Sequence, residues 1–190
     1  ALAKLRRRHF DVTLLWYNPN IYPQQEFDRR FKTQVKLIED MGLADKVSVL
    51  TEPRKSEDYY ARIKGLENEP EHGARCLRCF EYNLKEAWVE AKVLGIGKFT
   101  TTLTVSRFKK SESIFKVGDA FEGFERIDFK KKDGFAISSL GHILLFPKQS
   151  TGSYPSSSNL WMLLVAHGPQ QQCTRILPLS GSLFGLIGQV

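Results

Sequence analysis

The apolar positions of this chain change period several times, and each change marks an element. Asp11–Tyr17 (DVTLLWY) is a short run rich in β-branched and aromatic residues and reads as a buried strand. Asn18–Pro23 (NPNIYP) is turn chemistry. Phe27, Phe31, Val35, Ile38 and Met41 then fall at helical spacing, closed by Gly42 as a C-cap. Val47–Leu50 reads as a short strand, and Ser56, followed by Glu57 and Asp58, caps a helix running to Gly65. Beyond a polar loop, Gly65–Arg75, the residues Phe80, Leu84, Trp88 and Ala91 repeat at helical spacing up to Gly95. Phe99–Val105 (FTTTLTV) reads as a strand, Ser111–Val117 as a short helix and Phe124–Phe129 as a further strand, while Ala1–Phe10 resembles the last turns of a helix. Strands alternating with helices predict an α/β unit with a parallel sheet and right-handed crossovers.

Charge changes this picture near Gly134. Residues 1–133 carry 26 Lys/Arg and all 21 Asp/Glu, whereas residues 134–190 carry only Lys148 and Arg175. The latter stretch also holds half of the prolines, a Ser run at 156–158 and a Gln run at 170–172. Soluble domains average about a quarter charged residues, so an α/β domain over 1–134 and an irregular, low-charge, poorly packed tail over 135–190 are expected. The net charge of +7 admits an anionic partner, nucleic acid being the commonest. No apolar run approaches the roughly 18 residues that mark a membrane span. Three cysteines, two of them in a C-x-x-C, fit a reduced cytoplasm better than a disulfide scaffold.

The chemistry centres on that C-x-x-C, Cys76 and Cys79 in GARCLRCF, at the start of a helical pattern. A helix N-terminus favours the thiolate form that ligates soft metals. Tetrahedral zinc takes four ligands, and the third cysteine, Cys173, lies far off in QQQCTR, so the pair reads as half a site. His72, four residues before Cys76, has a spacing that serves zinc on a loop. In open α/β sheets ligands sit beyond the carboxyl ends of the strands. NPNIYP, Ser106–Lys110 and Lys130–Gly134 fall there.

Four segments together resemble the epoxyqueuosine reductase family of the QueH type: NPNIYPQQEFDRR at 18–30, GLENEPEHGARCLRCFEYNL at 65–84, FTTTLTVS at 99–106 and DFKKKDGF at 128–135. The resemblance covers about Asp11–Phe135, in order. It implies a Rossmann-like (HUP-like) α/β domain that reduces epoxyqueuosine to queuosine in the wobble position of tRNA. It further implies a 4Fe-4S cluster, with room for a further iron, bound by an adjacent cysteine pair near the N-terminus together with a C-x-x-C that corresponds to Cys76 and Cys79. A C-terminal C-x-C acts there as a redox-active pair. Neither the N-terminal pair nor the C-x-C is present in this sequence, and Tyr22, Asn83, Trp88 and Arg107–Phe108 depart from the family pattern. The expectation is a fragment that lacks the first strand and its cysteines, holds an incomplete ligand set and is inactive as it stands. A strand from the tail, Gly141–Phe146 or Leu160–Val165, is expected to fill the vacated place in the sheet.

Within this frame Asn18, Asn20, Ser106, Lys109, Lys130 and Lys131 are candidates for substrate binding, the lysines as contacts to tRNA phosphates around the anticodon loop. Removing an epoxide oxygen requires two electrons and two protons, so an electron donor of unidentified kind and an acid near the leaving oxygen are implied. Glu71 and Asp133 are the candidates for that acid by local position. Each residue also has a plainer reading: the asparagines as turn formers, the loop acids Glu67, Glu69 and Glu71 with Arg75 as solvated charges, the lysines as a wet basic turn, and the threonines of 99–105 as β-formers. The rival class is a non-catalytic basic α/β module that binds RNA or zinc.

Overall fold

The structure, a computed structural model, describes residues 11–51, 56–106, 108–131 and 163–167. Strand β1 (Asp11–Trp16) is its central element, and its side chains alternate between two apolar cores. Val12, Leu14 and Trp16 pack on one face with Phe27 and Ile38 of helix α1 (Gln24–Asp40) and with Ile127 and Phe129. Leu15 and Tyr17 turn to the other face. There they meet Tyr59 of α2 (Ser56–Ile63), Phe80, Leu84, Ala87 and Ala91 of α3 (Ala74–Val93), and Ile114 of α4 (Ser111–Gly118). A strand buried on both faces explains the near-continuous apolar reading of DVTLLWY.

β2 (Val47–Thr51) runs parallel to β1, with Val12 opposite Val47 and Leu14 opposite Val49. The sheet order is β2-β1-β4-β3, where β3 is Lys98–Thr101 and β4 is Leu163–His167. β4 is antiparallel to both of its neighbours, so β1, β2 and β3 point the same way and the sheet is mixed rather than wholly parallel. A parallel neighbour must be delivered by a crossover of a dozen residues or more. β4 arrives from far along the chain and is free of that constraint. The expected pairing of a tail strand is met at Leu163–His167, which overlaps Leu160–Val165. The sheet thus draws on both sides of the domain boundary expected near Gly134. Gly141–Phe146, Ala1–Phe10 and the rest of the tail lie outside the described residues.

Three readings need correction. FTTTLTV is a strand only to Thr101, after which Thr102–Val105 form a 3-10 turn. Thr101 Oγ1 accepts the N–H of Leu103 at 3.2 Å, which bends the chain out of the ladder. Phe124–Phe129 is not a strand; only Phe124 forms a bridge, to Phe99. Threonine hydroxyls satisfy its backbone instead: Thr100 Oγ1 donates to Glu125 O at 2.8 Å, and Thr104 Oγ1 donates to Ile127 O at 2.9 Å while accepting from Phe129 N at 3.2 Å. Those threonines do more than follow β-propensity. The cysteine-bearing helix begins at Ala74, some residues earlier than the apolar periodicity alone implies.

Chain reversals follow local chemistry. Gly42 sits just past α1 at φ 64°, a left-handed conformation that glycine adopts without a Cβ penalty. Gly123, at φ 83°, lets its carbonyl accept Phe99 N at 2.9 Å, and a Cβ there would meet the Gly97 carbonyl oxygen. Among the described residues no helix is long and apolar enough to cross a membrane.

Candidate metal and substrate site

Cys76 and Cys79 are the third and sixth residues of α3, and residues three apart lie on one side of a helix. Both are reduced and buried in the core shared with Tyr59, Phe80 and Tyr82. Each sulfur accepts hydrogen bonds. His72 N donates to Cys76 Sγ at 3.4 Å. Tyr59 OH and Asn83 Nδ2 each donate to Cys79 Sγ at 3.5 Å, and Asn83 Nδ2 also donates to Cys79 O at 2.8 Å. Tyr17 OH donates to Tyr82 OH at 3.1 Å, tying the end of β1 to the same turn of α3.

The helix terminus does not win the contest over the Cys79 thiol. Burial pushes its pKa up, and the Tyr59 hydrogen bond and the nearby Lys109 charge oppose that only in part. Desolvation of a thiolate outweighs a partial charge that fades within the first turn. Metal-free Cys79 is therefore a neutral thiol, and metal binding has to release its proton. Burial likewise raises Tyr59, which keeps its hydroxyl as a donor to sulfur.

Around this pair the structure gathers three of the expected segments. Lys109 Nζ pairs with Glu71 Oε1 at 2.6 Å, and Lys130 Nζ donates to Lys109 O at 2.5 Å. Lys109 is only 6% exposed and so lies inside the site rather than on the basic surface. Its ammonium holds Glu71 below the usual carboxylate range, leaving Glu71 an anion at neutral pH. Lys131 is exposed, and Ser106 Oγ accepts from Phe108 N at 3.3 Å. The other loop acids serve the backbone: Glu69 Oε2 accepts from Ala74 N at 3.1 Å at the start of α3, and Glu67 Oε1 accepts from Gly65 N at 3.0 Å. Arg75 Nη1 donates to Glu67 O at 2.8 Å. Asp133 and Cys173 fall outside the described residues.

At the carboxyl end of β1, Asn18 is fully buried, and neither atom of its side-chain amide has a partner. Asn20 Oδ1, Asn83 Oδ1 and Ser111 Oγ are also buried without partners. Buried amides without partners are rare, and Asn18 lies where ligands sit in open α/β sheets, beyond the carboxyl end of a strand. The open groove between α3 and α4, lined by Leu77, Arg78, Lys116 and Phe121, lies on a different face of α3 from the cysteines.

The donor set fits soft-metal chemistry up to a limit. Two buried sulfurs three residues apart on one helix, each accepting hydrogen bonds, are the donor type that soft metals take. Among the described residues no group of three or more His, Cys, Asp or Glu is gathered so as to hold a metal ion. His72 acts on Cys76 through its backbone N–H. The model of the family described as epoxyqueuosine reductase QueH matches residues 1–140. The chain belongs to the epoxyqueuosine reductase QueH family. It is 32% identical over 135 residues to epoxyqueuosine reductase QueH of Streptococcus pyogenes serotype M1, covering 67% of this chain and 53% of that protein. It is 32% identical over 108 residues to the Acinetobacter baylyi enzyme of the same name, covering 57% of this chain and 48% of that protein. The Thermotoga maritima relative is 30% identical over 114 residues, covering 59% and 58% respectively. The chain spans about half the length of the curated relatives it matches.

The sequence names Cys76, Cys79, Asn18, Asn20 and Lys109 as candidates, and of these Cys76, Cys79, Asn18 and Lys109 are buried. It missed Tyr59 and Tyr82, whose spacing reads as ordinary core. It noticed Asn83 only as a departure from the family pattern, although an amide one turn after Cys79 on the same helix face is a legible signal.

Proposed function

We propose that this region forms part of the metal and substrate site of an epoxyqueuosine reductase acting on tRNA. The observation that carries the reading is the pair of buried, hydrogen-bonded sulfurs of Cys76 and Cys79 inside the span matched by the family model. Cys76 and Cys79 hold two positions of an iron–sulfur cluster. When bound, the cluster supplies electrons to the reduction. The substrate chemistry replaces an epoxide with an alkene, taking up two electrons and two protons and releasing the oxygen as water.

This chain's own residues bind and shield. Asn18 and Asn20 offer amide donors and acceptors to the nucleoside at the end of β1, and Ser106 lies at the neighbouring loop. Lys110, Lys130 and Lys131 face tRNA phosphates, which position without reading sequence. The tyrosines Tyr17, Tyr59 and Tyr82 exclude water from the sulfurs. Glu71 serves to hold Lys109 rather than to donate a proton, because its carboxyl is kept ionised. Cys76 and Cys79 supply two of the thiolates such a cluster needs.

The test is tRNA containing epoxyqueuosine mixed with anaerobically reconstituted protein, with and without a reductant. Nucleoside analysis and the salt dependence of tRNA binding are the readouts. Specific tRNA binding that weakens in a Lys130→Ala/Lys131→Ala variant supports the reading, with the salt slope falling by about one for each lost phosphate contact. Binding indifferent to both substitutions contradicts the substrate assignment.

A further inference from the structure

Lys109 is the one buried charged side chain among the described residues. Lysine is almost never buried without a partner, and a buried ion pair forfeits much hydration to form. Lys109 is held at both ends: its ammonium lies 2.6 Å from Glu71 Oε1, and its carbonyl accepts Lys130 Nζ at 2.5 Å. One feature ties it to the thiol pair. Its partner Glu71 immediately precedes His72, which adopts φ 72° and donates its N–H to Cys76 Sγ at 3.4 Å. A non-glycine residue in the left-handed region is strained and persists only where its surroundings hold it.

We propose that Lys109 is a positioning residue for the cysteine pair. Its ammonium, through Glu71, holds His72 so that its N–H points at Cys76 Sγ. Two thiolates on one metal gather more negative charge than a buried site tolerates, and a fixed cation together with N–H donors offsets that charge. Outer-shell partners of metal ligands act in this way. The inference rests on reading Cys76 and Cys79 as metal-binding thiolates. It differs from the expectation that Lys109 meets a tRNA phosphate, which its burial and ion pair disfavour.

The test uses the full chain, anaerobic and at fixed pH, with Co²⁺ alone as the probe and its thiolate-to-cobalt absorption band as the readout. Wild-type protein should show a band that disappears in Cys76→Ser and Cys79→Ser. Lys109→Met should weaken Co²⁺ binding about tenfold or more, and Lys109→Arg should restore most of it. Hydrogen exchange at the His72 amide should quicken in Lys109→Met. Glu71→Gln keeps an acceptor for Lys109 but removes the competing anion. It should bind Co²⁺ at least as tightly as wild type, whereas a mere structural brace would lose stability and cobalt together. This arm decides the matter should Lys109→Met fail to fold. A cysteine-dependent band that Lys109→Met leaves unchanged, or a Glu71→Gln variant that loses cobalt affinity, overturns the inference alone. The absence of any cysteine-dependent band overturns the metal-site reading and the inference together.

Discussion

Replacing Thr104 by Val tests how the region beyond β3 is held. The two side chains have nearly the same shape, and Thr104 is fully buried, so no cavity forms. What disappears is a hydroxyl that donates to Ile127 O at 2.9 Å and accepts from Phe129 N at 3.2 Å. Ile127 and Phe129 are themselves buried, so the substitution takes one hydrogen bond from each of two backbone groups held away from water. Each such loss costs about 1–3 kcal/mol, which places the total at roughly 2–6 kcal/mol. Thr100→Val is the control, since its hydroxyl donates to Glu125 O alone, at 2.8 Å, and about 1 kcal/mol is expected. Urea denaturation of both variants beside wild type, with midpoints and slopes fitted together, reads the difference. The effect should reach the site, because Phe129 precedes Lys130, which donates to the Lys109 carbonyl. Thr104→Val within about 0.5 kcal/mol of wild type, or a Thr100→Val variant equally damaged, would refute the reasoning.

Two further outcomes follow from the same structure. Burial raises the Cys79 pKa, so its neutral form favours the fold; that contribution is present below the ordinary thiol value of 9.0 and is lost as pH rises above it. Metal-free protein should lose stability on the alkaline side, and Cys79→Ala should flatten that limb relative to wild type; an unchanged limb counts against the burial argument. Val165 pairs with Thr13 and Phe99 across β4, and proline cannot serve a central strand. Val165→Pro should speed amide exchange in both β1 and β3, and protection equal to wild type would mean that β4 does not complete the sheet.

Most of the elements were legible because β1, α1 and α3 obey a single period, with both faces of β1 covered. FTTTLTV has perfect strand composition, but its polar hydroxyls turn inward and replace a ladder, and composition alone does not say which way a threonine hydroxyl faces. The direction of β4 depends on a long connection that carries no periodic signal. At the site, the cysteines and Asn18 announce themselves by residue type and place. The Lys109–Glu71 pair joins residues 38 apart and emerges only when the loops meet. The neutral state of Cys79 was misjudged from its helix position because the depth of burial is a tertiary property.

The most direct test of the central claim is anaerobic reconstitution of the chain with iron and sulfide, followed by iron counting and iron X-ray absorption. Two thiolates in one buried site should take up iron in sulfur coordination, well short of the about four irons per chain of a complete 4Fe-4S cluster. A Cys76→Ser/Cys79→Ser double variant should retain none of that signal. Sulfur-bound iron that survives the double substitution would contradict the assignment of Cys76 and Cys79 as the metal-holding pair.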